Sequence, residues 1–361
     1  TLASNGHSVD VVTSGMSDLP QLETAGDVNV HRVRCWRRKR HYSTAPELAT
    51  TLLPTYRTAC RLIETHAPDL IHAHFVLPSG IVARALSVKY RIPYVLTAHG
   101  SDIPGYNPDR FAMLHRLLQP LWRRVVRDAA AITSPSQFLA TLLQQSLDVP
   151  VNVIPNGYTP EAHFGCGKSN LVLVVARLLP RKGVQHFIES VAAMTGDWAR
   201  DWRFVIAGDG PCLAHLKQLA ARRGANVQFT GFLDRTSLRR LYEQARILVF
   251  PSIRENFPMV LLEGMDAGCA IIATDAEGCA EVVGDAGVVV PRGRSQPIRE
   301  ALIRLMQHPD ECEAFSERAR QRAELFRWPR IAAQYLQVFE TVARPAPLSG
   351  PVLGRPVAPS L

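Results

Sequence analysis

The sequence predicts an α/β protein of two domains, each built on a doubly wound parallel sheet. Short runs of β-branched residues and leucine alternate with helix-length segments along the chain, a pattern typical of parallel sheets with crossover helices. Many of these runs are apolar without interruption, as in residues 171–176, which indicates strands covered on both faces. The length of 361 residues suits two domains at about 100 to 200 residues each.

The N-terminal domain is expected to span residues 1–160. Its predicted strands are residues 9–13, 29–33, 70–74, 94–98, 131–134 and 152–154. Its predicted helices are residues 47–66, 79–90, 113–127 and 136–146. The turn signal Pro155-Asn156-Gly157 and the glycine-containing segment 165–168 indicate the junction with the next domain.

The second domain is expected to span residues 161–328 and repeats the pattern. Its predicted strands are residues 171–176, 204–207, 227–230, 247–250, 270–273 and 287–290. Its helices are expected to begin near Val184, Pro211, Asp234, Phe257, Ala280 and Gln296. A last helix is predicted over residues 329–342, and the tail 343–361, rich in proline, is expected to be disordered.

Composition restricts the possible classes of function. Hydrophobic residues make up 47% and charged residues 20%, as in soluble globular proteins, and no apolar run approaches the ~20 residues of a membrane-spanning helix. Seven scattered cysteines form no CxxC pair, which argues against a zinc site and favours a reducing, cytoplasmic environment. The net charge of +9 is shared by both halves, so nucleic-acid binding is not expected.

The strongest chemical signal is a pair of glutamates in residues 251–265. Glu255 follows a buried strand, Pro258 suits the first turn of a helix, and Glu263 lies about one and a half turns into that helix. A helix N-terminus there would offer amides to phosphate or sugar oxygens. These amides belong to Asn256, Phe257 and Met259. Carboxylates accept hydrogen bonds from vicinal hydroxyls, so one glutamate could hold a sugar and the other a ribose. The alternative is a solvated pair with a capping role.

Two cations and a glycine turn extend this site. Arg177 and Lys182 are five residues apart in a loop between a strand and a helix, so both could converge on one diphosphate. The alternative is a pair of surface cations. Gly208-Asp209-Gly210 begins like a dinucleotide fingerprint but lacks the third glycine. A tight turn that brings backbone close to a nucleotide is the favoured interpretation.

His99 is a candidate site residue on the side of the first domain that is expected to face the second domain. His99 ends a strand and begins the loop His99-Gly100-Ser101-Asp102. An isolated histidine is more often structural, but its place in a glycine-containing loop at a strand end favours a functional role. His72 and His74 lie on another strand, and without a carboxylate or cysteine beside them we expect packing and hydrogen-bonding roles.

The glutamate string resembles the signature of the retaining glycosyltransferases of family 4, which have the GT-B fold. Five further segments are similar to family landmarks in the same order: residues 97–102, 152–158, 175–183, 207–211 and 231–232. The resemblance covers roughly residues 1–342 and predicts two Rossmann-like domains facing a cleft. It also implies that the helix over residues 329–342 crosses back to the first domain.

The resemblance implies a retaining transfer of a hexosyl group from a nucleoside-diphosphate sugar. The catalytic residues would be His99, Arg177, Lys182 and Glu255. The donor would be bound by Gly208, Gly210, Asn256, Phe257, Pro258 and Glu263, and Gly100 and Asp102 would lie on the acceptor side. His99 and Glu255 would then contact the sugar, and Glu263 the ribose. The chain has no Asp-x-Asp, so no metal or other cofactor is expected.

Two departures from the family pattern affect this interpretation. The chain opens inside the family's first helix, so the first strand and its glycine-rich loop, roughly 20 to 30 residues by family comparison, are expected to be missing. Around residues 276–281 the family has a glycine pair; Cys279 is taken to replace the second glycine and to tighten a loop near the donor. A UDP-sugar 2-epimerase of the same fold and a non-catalytic nucleotide-sugar-binding protein remain the alternatives.

The acceptor is expected to be a glycan or a lipid-linked molecule in cell-surface polysaccharide or glycolipid biosynthesis. Residues 32–40 contain six basic residues around Trp36, and residues 111–127 combine leucines with arginines. Such segments attract anionic lipid headgroups, so peripheral association with the inner face of the membrane is expected. The alternative is a solvated loop and an ordinary half-buried helix, since Pro120 is expected to interrupt the second segment.

Overall fold

The computed structural model describes residues 1–16, 18–37 and 44–343. The expected disorder of the tail, from residue 344 onward, and part of the basic segment 32–40 therefore lie outside the described residues. The N-terminal half contains the strands β1 (Val9–Ser14), β2 (Leu22–Ala25), β3 (Val28–Val33), β4 (Ile71–His74), β5 (Tyr94–Thr97), β6 (Ala131–Ser134) and β7 (Asn152–Val153). Its helices are α1 (Ala45–His66), α2 (Ser79–Tyr90), α3 (Pro108–Arg127) and α4 (Gln137–Ser146).

These strands form two sheets, with the orders β1-β3-β2 and β4-β5-β6-β7. All pairs are parallel except β2 with β3. Strand β2 was not predicted because all four of its residues are exposed, which leaves no apolar pattern. Within the described residues β1 and β4 each have one edge without a strand partner. The missing first strand stays an expectation.

The C-terminal half contains one six-stranded sheet. Its strands are β8 (Ser169–Val175), β9 (Arg203–Ala207), β10 (Gln228–Gly231), β11 (Ala245–Phe250), β12 (Ala270–Thr274) and β13 (Gly287–Val290). Its helices are α5 (Val184–Ala192), α6 (Leu213–Arg223), α7 (Arg235–Gln244), α8 (Met259–Asp266), α9 (Glu277–Val283), α10 (Ser295–Gln307) and α11 (Pro309–Ala323). All strands are parallel in the order β10-β9-β8-β11-β12-β13.

This order reverses direction between β8 and β11, and ligands of open α/β sheets bind outside the carboxyl ends of strands at such a point. Side chains of β8 alternate between two hydrophobic clusters, one on each face of the sheet: Leu171 and Leu173 belong to one, Val172 and Val174 to the other. All four are fully buried. Burial on both faces explains the uninterrupted apolar run.

Helix α12 (Trp328–Ala343) returns to the N-terminal half. The rings of Tyr335 and Phe339 lie 5.4 and 5.1 Å from that of His72 on β4. The chain therefore crosses between the halves twice, and the two crossings touch: the Tyr158 amide donates to the carbonyl of Phe326 at 3.0 Å, and the Trp328 amide donates to that of Tyr158 at 3.3 Å.

Two local expectations were wrong. Helix α3 continues through Pro120, because the buried Trp122, Val125 and Val126 anchor its far side and offset the ~3 kcal/mol that an internal proline costs. Helix α9 begins at Glu277 rather than near Ala280, so Cys279 is a fully buried core residue of that helix and does not tighten a loop.

Candidate active site

The loops that follow β8 and β11 lie side by side at the reversal point of the large sheet. The amide of Ile253 donates to the carbonyl of Arg181 at 2.8 Å, and the Ser252 hydroxyl donates to the same carbonyl at 3.2 Å. The predicted cation loop and the predicted glutamate loop are thus fixed to each other by backbone contacts, which brings Lys182 and Glu255 together.

Lys182 and Glu255 form a direct ion pair between the Nζ atom and a carboxylate oxygen. Both side chains are largely enclosed, with 16% and 12% of their surface exposed. The Ser252 hydroxyl and the Glu255 oxygen Oε1 are 3.5 Å apart. Arg177 lies exposed on the same loop as Lys182 and makes no ion pair with a described residue. The pair thus places a cation and a carboxylate, which can accept hydrogen bonds from hydroxyl groups, next to each other.

Gly208 allows the loop after β9 to approach the loop after β8. Its φ is +131°, and a Cβ atom there would lie 2.0 Å from the carbonyl oxygen of Ala176. A second contact joins the same two loops: the amide of Leu178 donates to the carbonyl of Asp209 at 2.9 Å. Gly210 closes the turn, its amide donating to the Asp209 carboxylate at 2.6 Å. The tight turn expected from the sequence is present beside Arg177; its contact with a nucleotide stays a prediction.

Glu263 is held from the neighbouring helix α7. The hydroxyl of Tyr242 donates to its Oε2 atom at 2.8 Å. Burial raises the pKa of Glu263, and this hydrogen bond opposes the rise. Burial also raises the pKa of Tyr242 well above its usual value, so the phenol stays protonated and remains a donor. The Oε2 atom of Glu263 is thus already hydrogen-bonded within the protein.

Asn256 connects the two domains, a role that the sequence did not predict. Its Oδ1 atom accepts from the Ser136 hydroxyl at 2.6 Å, and its Nδ2 atom donates to the carbonyl of His99 at 3.1 Å. The side chain is therefore used at the domain interface. Phe257 packs edge-on against Phe326 at 5.7 Å, and Pro258 precedes the first residue of α8. Donor contacts of their backbone stay predictions.

A second connection between the domains was also missed. Both carboxylate oxygens of Glu281 accept backbone amides at the N-terminus of α4, from Gln137 at 2.7 Å and from Phe138 at 2.9 Å. The hydroxyl of Ser136 caps the same helix through the amide of Leu139. Arg254 adds a bond to the carbonyl of Tyr106 at 3.1 Å. The two domains are therefore held closed over the site.

Asp102 shapes the loop that carries His99, and its predicted role among the acceptor-side residues stays a prediction. Its carboxylate is buried and accepts the amides of His99 and Gly100 at 3.0 and 2.8 Å and that of Val76 at 2.8 Å. The group is thus occupied in shaping the His99 loop. Gly100 lies in the same turn, under the ring of Tyr106.

Helix α9 requires a glycine at its second residue, Gly278. A Cβ atom at this position would lie 1.4 Å from the carbonyl oxygen of Asn256. The backbone of α9 and the backbone of the glutamate loop are therefore in direct contact. Glu277, one residue earlier, accepts the amide of Glu255 at 3.4 Å and pairs with Arg292 at 2.5 Å. Glu277, which is itself paired with Arg292, thus holds the backbone amide of Glu255. The sequence analysis assigned no role to either residue.

Phe232 is a further candidate that the sequence offered only as a landmark. It directly follows β10 and is 79% exposed. The amide of Gly208 donates to the neighbouring Gly231 carbonyl at 2.9 Å, which puts the ring next to the glycine turn. An exposed aromatic ring beside a predicted nucleotide-binding turn is suited to stacking. Among the described residues no three histidine, cysteine, aspartate or glutamate side chains are grouped to hold a metal ion.

The two Rossmann-like domains and the cleft between them define a glycosyltransferase of the GT-B class. The model for glycosyltransferase family 4 matches residues 1–162, and that for the group 1 glycosyl transferases matches residues 161–322. Together they cover most of the chain, which belongs to this family of glycosyltransferases.

Relatives and solved structures agree with this family. The chain is 24% identical to N-acetyl-alpha-D-glucosaminyl L-malate synthase of Bacillus anthracis, over 95% of this chain and 91% of that protein. Sucrose-phosphate synthase of Thermosynechococcus elongatus has a similar fold, with a TM-score of 0.76, 20% identity, and coverage of 94% of this chain and 90% of that one. The Anabaena protein HepE, solved in complex with UDP, gives a TM-score of 0.72 at 17% identity, over 93% and 100% of the chains.

Proposed function

We propose that this protein is a retaining, metal-independent hexosyltransferase that uses a nucleoside-diphosphate sugar. The observation that carries the proposal is the Lys182–Glu255 ion pair at the reversal point of the donor-side sheet. A cation for the leaving diphosphate and a carboxylate for the sugar hydroxyls meet there. The His99 carbonyl is tied to Asn256, the residue after Glu255, at 3.1 Å, so His99 joins the group from the opposite domain.

In this mechanism the donor diphosphate binds along the loops after β8 and β9. Lys182 and Arg177 stabilise the charge that grows on the diphosphate as the glycosidic bond breaks, a role that requires no metal ion. Glu255 and His99 orient the sugar, and Glu263 binds the ribose. The leaving diphosphate helps to deprotonate the acceptor on the same face, which retains the anomeric configuration. The complex of the Anabaena protein with UDP supports a nucleoside diphosphate as the leaving group.

A donor screen tests this proposal. The wild-type protein is incubated with UDP-, GDP- and ADP-hexoses and candidate glycan acceptors, and released nucleoside diphosphate is measured. We expect one donor class to be turned over, with a product of the donor's anomeric configuration by NMR. An inverted product contradicts retention. Free epimerised sugar formed without acceptor indicates an epimerase, and nucleotide binding without any turnover indicates a non-catalytic protein.

We further propose a lipid-linked or glycan acceptor of cell-surface polysaccharide or glycolipid biosynthesis, met by the enzyme at the cytoplasmic face of the membrane. No described helix has the length and apolar character to cross a bilayer. One face of α3 instead exposes Met113 (85%) and Leu117 (76%) beside the exposed Arg116, Arg123 and Arg124. Apolar side chains among arginines fit an anionic lipid surface.

The basic segment 32–40 contributes less than its composition suggests, because Arg32 is paired with Glu23 at 2.6 Å. Co-sedimentation with anionic vesicles at ~0.15 M salt tests the surface. We expect Met113→Ser with Leu117→Ser to reduce binding. Binding that is absent in the wild type, or that survives both this change and serines at Arg37, Arg38, Lys39 and Arg40, contradicts the membrane proposal.

A further inference from the structure

Two parallel strands bring a second histidine to the edge of the site. His74 is the last residue of β4 and pairs in register with Thr97, the last residue of β5. His99 follows Thr97 by two residues. Because parallel strands end at the same edge of a sheet, the imidazoles of His74 and His99 meet there. The Nδ1 atom of His74 lies 2.9 Å from the Nε2 atom of His99, within hydrogen-bonding distance.

The contact is part of a stack that fixes both rings. The ring of His72 lies 4.3 Å from that of His74, and the Nε2 atom of His72 is bonded to the Thr97 hydroxyl at 2.7 Å. The ring of Phe75, whose φ of +72° is unusual for a bulky residue, lies 4.7 Å from that of His99. His99 is thus held through its ring as well as through its backbone.

This arrangement leaves one ring nitrogen of His99 without a partner among the described residues. Its Nε2 atom is used by His74, while no described residue bonds its Nδ1 atom. Burial lowers the pKa of His99. Burial, together with the repulsion that a protonated His99 would exert, lowers the pKa of His74 to about 4, although His74 is partly exposed. Both imidazoles are therefore neutral near pH 7. Two neutral rings bond only when one donates and the other accepts, so the tautomer of one ring fixes that of the other.

We propose that His74 is a positioning residue that, through its hydrogen bond, sets the orientation and tautomer of His99 and leaves the Nδ1 atom of His99 to contact the transferred sugar. The assignment rests on the proposed function, since it concerns the same sugar site. In this proposal His74 acts on the sugar through His99. Its loss should therefore lower the rate of transfer more than it lowers the binding of the nucleoside diphosphate on the opposite domain.

The first test needs no substrate. In protein labelled with 15N-histidine, the side-chain nitrogen resonances of His99 report which ring nitrogen carries the proton. We expect these resonances to shift in His74→Phe, which keeps a ring but removes the nitrogen. They should return towards the wild-type positions in His74→Asn, because an asparagine amide can replace the Nδ1 atom. Unchanged His99 resonances in His74→Phe would overturn the assignment.

The second test measures catalysis with the member of the UDP-, GDP- and ADP-hexose panel that the wild-type protein turns over. We expect His74→Phe to lower kcat about 10-fold or more, with unchanged affinity for the free nucleoside diphosphate, and His74→Asn to recover most of the loss. Equal losses in both variants, or a parallel loss of nucleotide affinity, would indicate a structural role and overturn the proposal.

His74→Ala provides the same comparison should the phenylalanine variant not fold. A wild-type protein that turns over no member of the panel contradicts the proposed function. The NMR comparison still decides separately whether His74 governs His99, so the two failures are distinguishable.

Discussion

The carboxylate of Glu281 accepts the amide of Gln137 across the domain interface, at 2.7 Å. This bond joins α9 of the C-terminal domain to the N-terminus of α4 in the N-terminal domain. A carboxylate at a helix N-terminus is favoured by the helix dipole as well as by the hydrogen bonds. Because Asn256 binds Ser136 at the same helix end, domain closure and the loop that carries Glu255 are linked.

We predict that Glu281→Ala shifts the protein towards an open arrangement of its domains. The change leaves two amides without their acceptor, at a cost of about 1–3 kcal/mol to the closed state, which changes the closed-to-open ratio by roughly 10-fold. Small-angle X-ray scattering should show a larger radius of gyration. The control is Glu317→Ala, an exposed glutamate of α11 whose described partners, Arg320 and Gln321, lie on the same helix. Identical scattering curves for Glu281→Ala and wild type contradict the prediction.

For a wild-type protein that turns over UDP-hexoses, the two glutamates of the proposed donor site should be separable by calorimetry with free UDP. GDP or ADP takes the place of UDP where the donor is a GDP- or ADP-hexose. Glu263→Ala should weaken UDP binding about 10-fold or more, because ribose hydroxyls lose their acceptor. Tyr242→Phe should weaken it less, since this change removes only the hydroxyl that holds Glu263. Glu255→Ala should chiefly impair sugar transfer. Equal losses of UDP affinity in Glu255→Ala and Glu263→Ala would refute this division of roles.

The returning helix α12 should stabilise the N-terminal domain. Phe339 is buried and lies against His72, so Phe339→Ala should lower the free energy of unfolding by about 3 kcal/mol. Urea denaturation measures the change. Removal of residues 345–361 serves as the control and should leave the unfolding midpoint unchanged. A Phe339→Ala protein as stable as the wild type would show that the helix does not support that domain.

Stability should fall as the pH is lowered from 7 to 5. Burial lowers the pKa of His72 to about 3, whereas an unfolded histidine titrates near 6.5. In this window the unfolded chain binds a proton that the folded protein does not, so His72 contributes stability at pH 7 that is lost at lower pH. We expect about 1–2 kcal/mol from this residue. The decline should be shallower in His72→Gln, and equal slopes in the two proteins would contradict the assignment.

The sequence predicts the positions of the strands well where burial dictates the pattern. Strands β8, β11 and β12 are buried on both faces and read as apolar runs, and the glutamate loop follows from its place after β11. Strand β2 could not be found, because its exposed residues depend on pairing with β3 alone. The contacts of Asn256 with Ser136 and of Glu281 with Gln137 join positions 120 and 144 residues apart. They depend on how two rigid domains meet, which no local pattern encodes.

The most direct test of the donor site is the rate at which nucleoside diphosphate is released by Lys182→Ala. Lys217→Ala, an exposed lysine of α6, is the matched control. If Lys182 stabilises the leaving diphosphate beside Glu255, its loss should lower kcat/KM about 100-fold in a variant that remains folded. Lys217→Ala should be as active as the wild type. An unchanged kcat/KM in Lys182→Ala would contradict the account.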